Sequence, residues 1–301
     1  MLNRQKIVLR LLHGCGGRTS RLHVTKWLFL LGTKTSSQGG SAFYQFVPYK
    51  YGPYSFSLFR EVDQLVRDGL VDEQDDGTWA LTEVGHRHAM HLRPDIERDL
   101  GGVLDQYRHL TARELIDLVY RQHPWFSVLS DLPGRRALDR PVAPLAVYTT
   151  GYEGVLVEGL MDRLLRAGIE RIIDVRNNPI SRRYGFHRSS LARIAQSLGI
   201  DYRPFPELGI PSSQRADVGD RNGVEALLRS YVADTLPHQG ASLGRLAGVL
   251  QESPAVLLCK EADPTMCHRL PLANAVAPLA DLPIVHLGVA ECPTPTRQPG
   301  S

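Results

Sequence analysis

The chain has 301 residues, room for two domains, with 35 Lys and Arg against 32 Asp and Glu and a net charge of +3. No apolar run reaches the ~18 residues that a membrane span needs, and residues 1–17 mix charge into an apolar stretch as an amphipathic helix does and a secretory leader does not. Four cysteines, Cys15, Cys259, Cys267 and Cys292, are too few and too scattered for a disulfide framework, so the expected setting is a reducing cytoplasm with no membrane partner.

Residues 1–124 read as a small, mainly helical, basic domain. Ile7, Val8, Leu11 and Leu12 recur at helical spacing, as do Leu22, Trp27, Leu28, Leu30 and Leu31. Gly39-Gly40 breaks the pattern, Phe43 to Val47 is strand-like, and PYKYGPYS forms a turn. Leu58, Val62, Leu65 and Val66 predict a further helix closed by Asp68-Gly69. Two short strands then flank Asp76-Gly77, a strong hairpin signal, and Thr82-Glu83 caps the next helix. Three helices and a hairpin in that order predict a winged helix, a fold that binds DNA or docks proteins. Charge points the same way. Residues 1–60 hold nine basic side chains and no acid, which leaves 26 Lys and Arg against all 32 acids in the remainder. Such a block suggests a footprint for a polyanion, although the acidic wing at Asp72, Glu73, Asp75 and Asp76 argues against wing–phosphate contact.

After helices near 94–122, residues 125–144 are rich in Pro and Arg and read as a linker. Residues 145–290 then alternate short apolar runs with amphipathic helices: LAVYTT, RIIDV, DYRPF, PAVLLC and LPIVHL as strands, with helical patterns between them. That alternation predicts an α/β, Rossmann-like parallel sheet, whose ligands lie outside the carboxyl ends of the strands. Residues 291–301 read as a disordered tail.

The chemistry-bearing residues fall at those ends. Tyr152 and Glu153 follow the first strand, Asp174 and Arg176 close the second, and Cys259 and Glu261 close the fourth. The loop RNNPISRRYGFHR adds Ser181, Arg182, Arg183 and Tyr184, a mix of guanidinium groups and aromatics suited to phosphate and base. Tyr152, Asp174, Arg176, Ser181, Arg182, Arg183, Tyr184 and Arg269 are therefore the candidate phosphate or nucleic-acid contacts. In LLCKEADPTMCHRLP, Asp263-Pro264 predicts a helix start that places Cys267, His268 and Arg269 in its first turn, where partial positive charge favours a thiolate. Cys259, Cys267, His268, Glu261 and Glu153 are the candidate catalytic groups. A nucleophilic thiol, a reversible disulfide and a metal site all fit. The metal is the least supported, because C-x7-C-H is not a recognised zinc spacing, so no cofactor is expected.

Two resemblances add to this reading. YTTGYEG, IIDVRNNPISRRYGF, DYRPFPELG and LLCKEADPTMCHR, in that order over about residues 145–280, resemble the domain of unknown function 488 family. That resemblance implies a Rossmann-like domain and carries no settled activity. Residues 5–90, through Phe46, Pro48, Tyr49, Tyr51, Gly52, Pro53 and Tyr54, resemble the Panacea and SocA-like antitoxin-associated domains. That resemblance implies a regulatory or protein-docking module. The leading expectation is an enzyme directed at nucleic acid, DNA first, or at a nucleotide. The alternative is a ligand- or redox-sensing regulator that binds DNA or a toxin-like partner. A thiol alkyl-acceptor in DNA repair, suggested by the trio CHR, is a minor third.

Overall fold

A computed structural model describes residues 1–88, 91–215 and 220–288, with no side-chain description at 215. The expected tail at 291–301 lies outside the described residues. The chain divides into two compact units, one of Met1–Arg140 with Val157–Asp162, the other of Pro141–Leu156 with the residues from Arg163 onward. Among the described residues no helix is long and apolar enough to cross a membrane.

The first unit begins with α1 (Asn3–Gly14), β1 (Arg18–Ser20) and α2 (Arg21–Lys34). It continues through a small hairpin, β2 (Val47–Tyr49) and β3 (Gly52–Tyr54), to α3 (Phe56–Arg67). The strands β4 (Val71–Glu73) and β5 (Thr78–Leu81) follow, then α4 (Glu83–His88), α5 (Pro94–Tyr107) and α6 (Ala112–Gln122). β1 was not expected, since three residues with no apolar alternation leave no strand signal. It pairs antiparallel with β5, which pairs with β4, in a three-stranded sheet. Phe43 and Tyr44 lie outside any strand and are buried as anchors of an irregular loop. The core is apolar: Ile7, Leu11, Trp27, Leu28, Leu58, Val62, Leu65, Trp79, Leu100 and Leu115 are all buried in one cluster.

Of the residues expected as a linker, those up to Arg140 belong to this unit and those from Pro141 to the other. Pro124–Ser127 forms a 3-10 turn, Val128 and Ser130 are buried, and Tyr120 donates to Ser130 Oγ at 2.9 Å. The Asp131 amide donates to the Lys50 carbonyl at 2.9 Å.

The second unit is α/β. It runs β6 (Val147–Gly151), α7 (Val157–Arg166), β7 (Arg171–Asp174), α8 (Arg188–Ser197), β8 (Asp201–Pro204), α9 (Arg221–Ser230), α10 (Gly240–Glu252), β9 (Ala255–Cys259), α11 (Arg269–Ala280) and β10 (Ile284–Leu287). The division between the units falls within α7. The five strands lie in the order β10-β6-β9-β7-β8, every pair parallel. β6 and β9 are buried along their whole length, as central strands of a covered parallel sheet are. From β6 the chain travels toward β7 and β8, whereas from β9 it crosses back to β10. Neighbouring strands whose connections leave in opposite directions define the topological switch point of such a sheet. Here it lies at the ends of β6 and β9, where Gly151 is in register with Cys259.

Candidate functional site

The loops that leave β6 and β9 are clasped together. The amides of Tyr152 and Glu153 both donate to the Lys260 carbonyl, at 3.1 and 2.9 Å, and the Ala262 amide donates to Glu153 Oε2 at 3.2 Å. Position 151 must be glycine, because a Cβ there would stand 1.8 Å from the Glu261 carbonyl oxygen. Glu153 therefore clasps the two loops and is itself exposed.

Side chains alternate between the two faces of a strand, and that alternation divides the expected single cleft. Ile173, Leu257 and Cys259 pack into one core with Val276 and Leu250 from α11 and α10. Asp174, in register with Leu258, points to the opposite face. The arginine network and the thiols therefore lie on different faces of the sheet edge.

On the Asp174 face, Arg176 is consumed internally. Its Nε and Nη2 donate to the two Asp174 oxygens at 2.8 and 2.6 Å, and its Nη1 donates to Tyr152 Oη at 3.1 Å and the Phe186 carbonyl at 2.9 Å. Burial pulls the guanidinium pKa down, but Asp174 more than offsets this and the net shift is upward. Tyr202 Oη adds a 2.5 Å bond to Asp174 Oδ2, and burial with the neighbouring carboxylate pushes that phenol up. Tyr152 stacks on Phe186 at 4.2 Å and 14°. Arg183 lies over both rings and donates to the carbonyls of Tyr152 and Val155. Ser181 Oγ accepts from the Arg183 amide at 3.1 Å, so it braces the loop. Tyr184 is half-buried in the same loop, and Arg182 and Arg188 are exposed on it. Arg176, expected to hold phosphate, instead neutralises a buried carboxylate, and Arg183 fastens the loop to the aromatics. Arg182 is exposed, and so is Arg183, whose guanidinium is engaged with the rings and carbonyls.

On the other face, Cys259, Cys267 and His268 are 1%, 2% and 2% exposed, with their Sγ, Sγ and ring-nitrogen atoms all within 4.8 Å of one another. The expected helix start is corrected here. Asp263 and Pro264 open a 3-10 turn, Pro264–Met266, with Asp263 Oδ1 accepting from the Thr265 amide at 2.8 Å. Cys267 is extended, at φ −141° and ψ 138°, and α11 begins only at Arg269. The reason is Pro271. A helix running on from Pro264 would bury that ring in its interior, whereas a start at Arg269 leaves it in the first turn, where no amide is needed. Cys267 thus stands just ahead of the helix, and its electrostatic setting comes from side chains.

His268 Nε2–H donates to the Val175 carbonyl at 2.9 Å, since a carbonyl can only accept. This fixes the tautomer and turns Nδ1 toward both sulfurs, 3.7 Å from Cys259 and 4.0 Å from Cys267. Glu261 Oε2 is hydrogen bonded to Cys259 Sγ at 3.1 Å. The Cys267 hydrogen bond, then His268 and Glu261, hold the Cys259 thiol well below its ordinary range against the penalty of burial. Burial and the Cys259 charge push Cys267 well up. The two thiols are thus shifted in opposite directions, Cys259 down and Cys267 up. Burial, then the neighbouring Cys259, raises Glu261. Arg269, expected as a phosphate contact, is 1% exposed and donates to the carbonyls of Glu261 and Ala262, locking the loop that carries the carboxylate.

Sequence reasoning missed Tyr202, Tyr231 and the Val175 carbonyl. Tyr202 lies within DYRPFPELG, between Asp201 and Arg203 on a short strand, and could have been found from that motif. Tyr231 packs edge-on against His268 at 5.6 Å, and nothing in its sequence surroundings marks it.

No curated protein and no solved structure matches the chain. A family model, described as domain of unknown function DUF488, matches residues 157–276, a stretch that includes Asp174, Arg176, Cys259, Glu261, Cys267, His268 and Arg269. The C-terminal part of this chain therefore carries a DUF488 domain, the family that its four ordered motifs resemble.

Proposed function

We propose that this protein is a nucleic-acid- or nucleotide-directed enzyme whose reaction centre is the cluster of Cys259, Cys267, His268 and Glu261. The observation that carries the reading is the fixed imidazole: with Nε2 held by the Val175 carbonyl, Nδ1 faces the sulfurs as a ready proton acceptor. A sulfur nucleophile beside an oriented base, at the switch point of a parallel sheet, is the arrangement that thiol-dependent transfer and hydrolysis require. Cys259 is the nucleophile, His268 takes its proton, and Glu261, the half-exposed member, exchanges protons with solvent. The exposed Arg182 and Arg188 support an anionic substrate. The order α1-β1-α2-α3-β4-β5 in the first unit, interrupted by the β2–β3 hairpin between α2 and α3, resembles that of a winged helix and supports a module that holds nucleic acid or a protein partner.

The test is turnover on a panel of nucleotides and single- and double-stranded DNA oligonucleotides, read by mass spectrometry. Cys259→Ser and His268→Gln, shown to be folded by thermal melting, are expected to lose about 100-fold or more in rate. Absence of turnover across the panel overturns the enzyme reading.

The closeness of the two thiols, their Sγ atoms within 4.8 Å of each other, favours a second reading, a redox-responsive regulator. There an oxidant of the peroxide class removes two electrons and two protons to join Cys259 to Cys267. Loss of alkylatable thiol after peroxide, with ligand or DNA affinity changed and no turnover, supports it.

A further inference from the structure

We propose that Cys259, Cys267 and His268 form a site for one thiolate-seeking divalent ion, zinc(II) first, with Glu261 at the fourth position. The sequence spacing hides this site, because seven residues of loop and turn separate the cysteines and the chain has to reverse between them. The folded chain brings the donors together. A tetrahedral ion with sulfur at about 2.3 Å and nitrogen at about 2.0–2.1 Å sets these donor atoms about 3.5–3.8 Å apart. The sulfur-to-Nδ1 distances are 3.7 and 4.0 Å, so closure around an ion needs only a small contraction. Glu261 Oε2 lies 3.1 Å from Cys259 Sγ but outside the set of three donors within 4.8 Å of one another, so it completes the tetrahedron by a swing of its side chain toward the ion.

The surroundings are those of a built site. The far nitrogen of His268 donates to a backbone carbonyl, the outer-shell device that orients metal-bound imidazole. Arg269 anchors the Glu261 and Ala262 carbonyls and so fixes the carboxylate's loop. Tyr231 walls the imidazole on one side, and its own hydroxyl is committed to the Leu208 carbonyl at 2.6 Å. All three donors are buried, which excludes competing water. Two sulfurs and one imidazole select zinc over magnesium or calcium, which seek oxygen.

This inference takes its location from the reaction centre proposed above and adds regulation to it. Coordination ties up a lone pair on sulfur and lowers its reactivity, so Cys259 in a loaded chain attacks more slowly. Loading then slows the thiol chemistry, and removing the ion restores it.

The full-length chain, stripped with chelator and then titrated with zinc(II) against a chromophoric chelator, is expected to take one ion. Cobalt(II) in its place is expected to give the intense sulfur-to-metal charge-transfer absorption of a thiolate site. Cys267→Ser and His268→Gln, each checked for a native melting curve, are expected to bind roughly 100-fold more weakly or worse, beyond the tenfold-to-hundredfold cost of losing an outer-shell partner. Failure of the native chain to bind either ion stoichiometrically overturns the proposal. So does a cobalt spectrum without sulfur character, or unchanged affinity in the folded variants. Ion binding is read directly, without turnover. If the enzyme reading fails, the site stands as structural; if binding fails, the thiol chemistry stands alone.

Discussion

Arg176 and Lys26 are two buried cations handled in opposite ways. Arg176 sits against Asp174 in a two-point ion pair with every arm of its fork engaged. Removing one partner of a buried pair leaves the other charged and desolvated, at a cost of about 3–5 kcal/mol. Arg176→Ala is therefore expected to lower the unfolding free energy, read from urea titration, by that order, and Arg176→Lys, which keeps charge but not the planar fork, to recover only part of it. An unchanged free energy would show that the guanidinium is free to bind substrate. Among the described residues no acid forms an ion pair with Lys26. Its Nζ donates to the Pro53 carbonyl at 3.1 Å, it is 2% exposed, and burial pulls its pKa from 10.5 to about 7. Between those values the unfolded chain holds a proton that the folded one has released, so stability rises with pH across the window. At about 1.4 kcal/mol per unit the full swing is roughly 3–5 kcal/mol. Denaturation midpoints measured from pH 6.5 to 10 are expected to climb in the native chain, whereas Lys26→Met should flatten the curve.

At the scale of the element, the strands and helices of the second unit were legible because each announces itself locally. β6 and β9 are unbroken apolar runs, and α7 carries apolar residues at helical spacing before Gly168. The register between elements was not legible. Which residues face α11 and which face the Asp174 side follows from strand order and alternation together, and the order is set by where the chain crosses over. Seven residues between two cysteines say nothing of a reversal, and Pro271 gave the only hint that the helix starts late. Gly151 belongs to this scale, because it exists to let two loops touch. Gly151→Ala is expected to push the β6 and β9 loops apart, costing at least 1–3 kcal/mol, roughly the cost of an overpacked interior. It should also speed the alkylation of Cys259 as the cover over the sulfur loosens. Thermal melting and a timed thiol-labelling assay read both, and an unchanged labelling rate would show that the clasp does not shield the thiol.

For the molecule as a whole, charge is arranged differently in space than along the chain. Residues 1–60 lack acids, yet the fold brings acids to them from further along the chain. Arg4 meets Glu61, Arg10 meets Glu97, Arg18 meets Asp76, Arg21 meets Glu73 and Lys50 meets Asp131, while Lys26 is buried. Linear asymmetry is thus largely cancelled in space, which composition cannot foresee because it counts charges without their neighbours. Exposed pairs of this kind are weak in energy but still reduce the local field. Duplex DNA affinity, followed by fluorescence anisotropy over a salt series, is accordingly expected to show a shallow slope, of about one to three neutralised phosphates. A slope several times steeper would mean that these pairs open when DNA arrives.

One consequence of β7 remains. Asp174 ends that strand and Val175 follows it, the first gripping the Arg176 fork and the second steadying the His268 ring by its carbonyl. Their α-carbons are about 3.8 Å apart and joined by a planar amide, a short stiff crank rather than a hinge. A pull on the carboxylate from above is therefore expected to tilt that plate and, through the Val175 carbonyl, the ring below.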